Sequence, residues 1–301
     1  MSLTDTTLLP KVRGLYAENA SLKEVLWFRA GGPAEILFRP ADLDDLCTFM
    51  AEYPKEMPLT VIGVGSNLLV RDGGIEGVVI RLPAVFGQVK QISPTCIRVG
   101  AAALDSMVAR KAAEAGIAGL EFLRGIPGTI GGALRMNAGC YGREMKDIFI
   151  EARAVNDSGR IVNLSTAEMG FSYRHSTAPK NLIFVDAVFE GAPGESGEIH
   201  ARMKKLVAER EAAQPIRAKT GGSTFTNPPG AKAWELIEQA GCRGLKHGDA
   251  QISEKHCNFL INLDQASAAD IEALGEEVRH KVKENLGVDL KWEIKRVGRQ
   301  S

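Results

Sequence analysis

Six glycines crowd into residues 125–142, at Gly125, Gly128, Gly131, Gly132, Gly139 and Gly142, and no other stretch restricts the fold so strongly. Glycine costs about 0.5–1 kcal/mol relative to alanine inside a helix or strand, so propensity predicts no stable regular element here. Such a run offers backbone without Cβ atoms, open to something flat or charged. A long structural loop is the competing explanation. A second segment, Ile62-Gly63-Val64-Gly65-Ser66-Asn67-Leu68-Leu69, follows a predicted strand and could present N–H groups and short polar side chains to a phosphate. A tight turn between strands would account for it too. Neither segment is a dinucleotide or Walker fingerprint: Leu68 holds the third glycine position, a strand rather than a helix follows, and the chain has no Gly-Lys dipeptide.

The rest of the chain narrows the function classes. Thirty-seven basic residues balance thirty-seven acidic ones over 301 residues, which speaks against a nucleic-acid binder. With 45% hydrophobic and 25% charged residues the composition is that of a globular protein with room for about two domains. Apolar runs such as 77–80 and 182–189 are too short for a bilayer. Residues 1–11 show no basic-then-apolar leader pattern. Five scattered cysteines without a Cys-x-x-Cys pair, and histidines without metal spacing, predict a reducing cytoplasm and no metal site. Neither a nucleic-acid, a membrane nor an obligate protein partner is expected.

Short strands are predicted over 35–39, 59–65, 78–82 and 97–100, a hairpin over 149–164 turning at Asn156-Asp157-Ser158-Gly159, and a buried strand over 182–189. Helices are predicted over 42–53, 104–115, 199–213, 233–240 and from the Ser267-x-x-Asp270 capping box to Gly287. A second box, Ser165-x-x-Glu168, opens a short helical turn. Residues 290–297 alternate apolar and charged as a terminal strand, and the small-residue stretch 191–197 marks a candidate domain boundary.

Thr220-Gly221-Gly222-Ser223-Thr224-Phe225-Thr226-Asn227-Pro228 puts a serine in a Gly-flanked turn that is not a nucleophile elbow; a proton donor and a plain turn serine both remain open. Around it, residues 201–220 carry six basic side chains against Glu209 and Glu211, and 291–301 carry four against Glu293. Solvated faces explain many of these, yet local positive charge in a neutral chain suits an anionic small molecule. By spacing alone, Glu293 reads as a solvated carboxylate, Arg174 in Phe171-Ser172-Tyr173-Arg174-His175-Ser176 as a surface arginine, and His256 as a packed histidine.

In order, the motifs IGVGSNLLVRDGG, FLRGIPGTIGGALRMNAGCYG, FSYRHS, GGSTFTNPPG, HCNFLIN and LKWEIKRVG closely resemble those of the UDP-N-acetylenolpyruvoylglucosamine reductase (MurB) family, over residues 27–298. The shorter form is the better match, because the tyrosine-bearing insertion of the longer form has no room here. The resemblance implies an α+β fold: a two-part FAD-binding domain of the vanillyl-alcohol-oxidase type over 1–191 (about 1–84 and 85–191) and a C-terminal α+β substrate domain over 192–301. It implies reduction of an enolpyruvyl group on a UDP-sugar, with FAD as cofactor and NADPH as hydride donor. Carried over by motif, Ser223 is the proton donor, and Arg174 and Glu293 stabilise the developing enolate. FAD would lie against Gly63, Gly65, Ser66, Asn67 and Leu68 and against Ile126, Pro127, Gly128, Gly131, Gly132, Asn137, Ala138 and Gly139. Arg217, Lys219, Asn227 and His256 are candidates for holding the substrate. An oxidase of the same superfold and a non-catalytic flavin or nucleotide module are the alternatives.

Overall fold

The computed structural model describes residues 6–300, so part of the N-terminal segment read above (residues 1–5) and Ser301 lie outside it. The chain divides into two compact units. Unit 1 takes the chain up to Glu18, then Ile36–Gly63 and Gly77–Glu209; unit 2 takes Asn19–Glu35, Val64–Glu76 and the chain from Arg210 onward.

Unit 1 has two cores. Beneath the first, the parallel pair Leu59–Ile62 and Ile75–Arg81 belongs to a four-stranded sheet with Pro33–Arg39 and Leu15–Ser21. Helix α1, Leu43–Glu52, covers it as its spacing predicts. The Asp42 carboxylate accepts from Asp45 N–H at 3.0 Å, worth about 1 kcal/mol. Phe49 stacks on Phe38 at 4.4 Å between ring centroids, and the chain turns extended at Tyr53, as the residue before a proline must. The second core lies under an antiparallel sheet of order Ile161–Ser165, Phe149–Val155, Ile183–Glu190, Cys96–Gly100, Val89–Gln91. Asn156 Oδ1 closes the expected hairpin by accepting from Ser158 and Arg160 N–H at 3.1 and 2.9 Å. Helix α2, Asp105–Glu114, packs the small side chains Ala109, Ala112 and Ala113 into this core.

The glycine run is not all loop. It contains helix α3, Ile130–Met136, which propensity argued against. Two glycines in its first turn cost about 2 kcal/mol, but full burial of Ile130 and Leu134 returns about 1.5–3 kcal/mol each. Ile130 and Gly131 N–H also donate to Ala103 and Ala101 C=O at 3.0 and 2.9 Å. Tertiary burial decides the conformation. Helix α4, Thr166–Met169, carries the expected Ser165/Glu168 capping box, and α5 runs from Ser196 to Ala213.

In unit 2, helix α7 (Ala268–Leu286) covers a sheet of order Lys246–His247, Ala250–Ile252, Leu260–Asn262, and helix α6 (Ala233–Gln239) packs against α7. The Ser267/Asp270 box caps α7, Gly287 ends it at φ 71°, and Ile271, Leu274, Val278 and Val282 form its buried stripe. Asp72 adds a second cap, accepting from Ala268 and Ala269 N–H at 3.0 and 2.9 Å, where the helix dipole favours an anion.

Two differences from the sequence reading matter for the site. The terminal strand is shorter, Lys295–Val297, and pairs in parallel with Leu68–Val70. Upstream, the Thr224 carbonyl takes both Glu293 N–H (2.8 Å) and Ile294 N–H (3.4 Å), which breaks the ladder and gives 290–294 an irregular path. Compactness also draws the units differently from a cut at residue 191: 192–209 group with unit 1, while 19–35 and 64–76 group with unit 2.

Candidate active site

Unit 2 gathers Ser223, Glu293 and the Ser66-Asn67 turn. Gly222 adopts φ +82°, a conformation that strains any side-chain-bearing residue, and so turns the chain into Ser223. Ser223 itself bridges Phe259 across an antiparallel pair. The next residues are pinned by Asn258: its Oδ1 accepts from Phe225 N–H at 2.9 Å, its Nδ2 donates to Phe225 C=O at 2.8 Å, and its own C=O accepts from Thr224 N–H at 2.8 Å. Thr224 Oγ1 accepts from Leu260 N–H at 3.1 Å. From this braced segment the Thr224 carbonyl reaches Glu293 N–H at 2.8 Å. Asn67 Nδ2 donates to Glu293 C=O at 3.2 Å, and Lys295 N–H donates to Asn67 C=O at 3.0 Å. The proposed proton donor, one of the proposed enolate stabilisers and one candidate flavin-binding residue therefore share a single backbone network. Both Ser223 and Glu293 are partly exposed.

Unit 1 holds Arg174 against the glycine-rich segment. Ser172 and His175 exchange backbone hydrogen bonds at 2.9 and 3.1 Å, a tight turn with Arg174 at its corner at φ 53°. Arg174 Nη2 donates to Gly139 C=O at 2.9 Å, and its guanidinium lies 5.1 Å from the Tyr173 ring centre. Asn137 ties the same pieces together. Fully buried and left-handed at φ 43°, it donates through Nδ2 to Glu144 Oε2 (2.9 Å) and Ser172 C=O (3.0 Å) and accepts from Lys146 N–H (3.0 Å).

Of the four substrate candidates, Arg217 is 90% exposed with Glu211 at 3.8 Å. Lys219 Nζ donates to Asp264 C=O at 3.0 Å. Asn227 Oδ1 accepts from Ala233 N–H at the head of α6, at 2.9 Å. His256 packs edge-on against Phe259 at 4.8 Å, and burial pushes its pKa down. Their side chains thus divide between an open surface and structural contacts.

Spacing missed several residues that build the site. Thr224 and Asn258 brace Ser223, and only their place inside quoted motifs hinted at it. Asp105 opens α2 fully buried, with neither carboxylate oxygen hydrogen-bonded, and burial raises its pKa far above the usual range. Its N–H donates to Gly128 C=O at 3.1 Å, directly behind the glycine run. An aspartate in a first helical turn looks like a solvated cap, so nothing in the sequence distinguished it.

The residues fit a dinucleotide cofactor. A Cβ at Gly132 would stand in open space, with no atom within 4 Å, so the first turn of α3 presents bare backbone. A Cβ at Gly63 would meet Thr129 Oγ1 at 2.5 Å, so in unit 1 the end of the first glycine segment packs against the second. Bare backbone joined in this way suits a pyrophosphate or a ring face.

Comparison with known proteins gives the class first. A family model described as an FAD binding domain matches residues 34–165, so the chain is an FAD-binding protein. A second, described as the UDP-N-acetylenolpyruvoylglucosamine reductase C-terminal domain, matches residues 214–297. UDP-N-acetylenolpyruvoylglucosamine reductase of Parvibaculum lavamentivorans is 60% identical over 96% of this chain and 93% of its own length. That of Azorhizobium caulinodans is 59% identical over 96% and 94%. The crystal structure of the reductase (MurB) from Thermus caldophilus superposes with a TM-score of 0.82 at 36% identity, covering 95% of this chain and 99% of that one. The chain belongs to the UDP-N-acetylenolpyruvoylglucosamine reductase family. The expected α+β fold, an FAD-binding domain followed by a C-terminal domain, is the one these matches define.

Proposed function

We propose that this chain reduces the enolpyruvyl group of UDP-N-acetylglucosamine-enolpyruvate to UDP-N-acetylmuramate in peptidoglycan precursor synthesis, using NADPH. Family membership supports the reaction class. Within the chain, the observation that carries the reading is the 2.8 Å bond from Glu293 N–H to the carbonyl of Thr224, which ties Ser223 and Glu293 to one frame.

FAD, when bound, would supply the hydride-transfer chemistry that links NADPH to C3 of the enolpyruvyl group. Gly63, Gly65, Ser66, Asn67 and Leu68, with the segment from Ile126 to Gly139, are the residues assigned to hold it, through backbone N–H groups and short side chains. Hydride arrival at C3 leaves charge over C2 and the carboxylate. Arg174 meets that charge with a cation, and Glu293, in its protonated form, with a donated hydrogen bond; both act on charge that develops only in the transition state. Ser223 Oγ–H gives its proton to C2. An ordinary hydroxyl suffices because the carbon it protonates is a strong base.

Residues 1–191 are assigned to the FAD-binding domain and 192–301 to the substrate domain, where Arg217, Lys219, Asn227 and His256 are the candidate substrate contacts. A cytoplasmic setting accords with five scattered cysteines that include no Cys-x-x-Cys pair and with NADPH as donor; no helix among the described residues is long and apolar enough to cross a membrane. The test is a two-stage spectral titration. Purified protein should be yellow, bleach with NADPH without air, and regain colour on addition of UDP-N-acetylglucosamine-enolpyruvate with formation of UDP-N-acetylmuramate. A protein that takes up no FAD, or is not reoxidised by that substrate, contradicts the proposal. Rapid reoxidation by oxygen alone would favour an oxidase.

A further inference from the structure

We infer that Gly275 and Trp292 are positioning residues for the protonation step: the bare face of α7 at Gly275 is the seat of an indole that fixes the Ser223 and Glu293 segments. The inference rests on the proposed roles of those two residues. Gly275 lies on the buried side of α7, among Ile271, Leu274 and Val278. Its backbone is ordinary helix, so no turn requires glycine there, and glycine costs about 1 kcal/mol relative to alanine at such a place. A packing reason is therefore expected, and it is visible. A Cβ on residue 275 would stand 2.2 Å from Trp292 Cη2 and 2.3 Å from Cζ2. The indole rests directly on the helix backbone.

Its other contacts leave the ring little freedom. Trp292 Nε1 donates to Glu276 Oε1 at 2.8 Å, and the Arg296 guanidinium covers the ring at 4.5 Å while donating to the same Glu276 oxygen at 2.6 Å. On the remaining side Phe225 packs at 5.1 Å between ring centres. Trp292 immediately precedes Glu293, and Phe225 follows Ser223 by two positions. The two segments are paired by the Phe225–Trp292 bridge, by Thr226 N–H to Lys291 C=O at 2.9 Å and by Glu293 N–H to Thr224 C=O at 2.8 Å. Where the indole sits along α7 thus sets the path of 291–293, and through those bonds that of 224–226. Displacement of an ångström at such a place costs about a hundredfold in rate when geometry limits the step.

The test separates positioning from plain packing by comparing two half-reactions of the FAD-loaded protein in stopped flow: bleaching by NADPH, which needs no proton at C2, and reoxidation by UDP-N-acetylglucosamine-enolpyruvate, which does. Gly275→Ala should slow reoxidation by about ten- to hundredfold while bleaching changes less than about threefold. The double variant Gly275→Ala/Trp292→Phe, whose smaller ring vacates the space the new methyl needs, should reoxidise faster than Gly275→Ala alone. Wild-type reoxidation in Gly275→Ala overturns the inference, and so does a double variant slowed by the product of the two single effects. If Gly275→Ala fails to fold, recovery of folded, yellow protein in the double variant supports the seat, and failure of that recovery overturns it. Ser223→Ala, run in parallel, isolates the underlying reading: if it reoxidises at the wild-type rate, the role of Ser223 fails first, whatever Gly275→Ala does.

Discussion

Asn137 gives the most quantitative handle on how the glycine-rich segment holds Arg174. Its side chain makes three hydrogen bonds in full burial, one of them to the Glu144 carboxylate, and its backbone is left-handed. Asn137→Ala removes all three and leaves Lys146 N–H and Ser172 C=O without those partners, for about 3–5 kcal/mol. The left-handed conformation adds about 1–2 kcal/mol for a residue with a Cβ and no compensating polar group. Asn137→Gly loses the same bonds but escapes that last cost, so it should be more stable than the alanine variant by about 1 kcal/mol. Asn137→Asp retains an acceptor for Lys146 but sets a second carboxylate against Glu144 Oε2, now 2.9 Å from the amide nitrogen. It should be destabilised at neutral pH and partly recover on acidification, as one of the two takes a proton. Urea unfolding followed by far-UV circular dichroism reads all three. Because Ser172 opens the turn that carries Arg174, substrate-driven reoxidation should fall in each folded variant. An alanine variant within about 1 kcal/mol of wild type, or a glycine variant less stable than the alanine one, would refute the reasoning.

Other perturbations probe separate parts of the account. Asp105 holds a proton in the folded chain that the unfolded chain releases above the ordinary carboxyl range, so the stability it lends at low pH is lost as pH rises toward and through its raised value. Asp105→Asn should therefore be more stable than wild type at pH 7 and shed a slope of up to about 1.4 kcal/mol per pH unit; a lower melting temperature at pH 7 would count against this. His256 is opposite in sign: burial lowers its pKa, and its Nδ1 accepts from Asn258 N–H at 3.3 Å, so stability should fall as pH drops below its ordinary value near 6.5. His256→Asn should flatten that part of the stability profile, and an unchanged slope would show that His256 does not set it. Gly63→Ala, which drives a methyl onto Thr129 Oγ1 at 2.5 Å, should lower the FAD retained on purification, and Thr129→Ala should restore it in the double variant.

What the sequence disclosed was local. The Ser165/Glu168 and Ser267/Asp270 boxes and the Asp42 start of α1 stand where spacing put them, because a cap needs only residues within one turn. The parts that escaped depend on distant partners. Helix α3 forms in a glycine run because Ile130 and Leu134 find a core, and the parallel pairing of Leu68–Val70 with Lys295–Val297 joins segments more than two hundred residues apart. The site shows the same division. Ser223, Arg174 and Glu293 could be named only through the order of whole motifs, since each alone looks like a turn serine, a surface arginine and a solvated carboxylate. The braces at Asn258, Thr224 and Trp292 make contacts that no periodicity encodes. One signal was available: a glycine inside the apolar stripe of α7 breaks its pattern and asks for a packing reason.

The central claim is that the Ser223 hydroxyl supplies the proton that completes reduction. Its most direct test is a single-turnover measurement on Ser223→Ala and Ser223→Cys, each loaded with FAD and reduced beforehand. NADPH should bleach the wild-type protein and both variants at similar rates. Reoxidation by UDP-N-acetylglucosamine-enolpyruvate should fall by about 10²–10⁴-fold in the alanine variant, the range for loss of a positioned acid, and be partly restored by the cysteine thiol. Reoxidation of Ser223→Ala at the wild-type rate, with UDP-N-acetylmuramate formed in full, would contradict it.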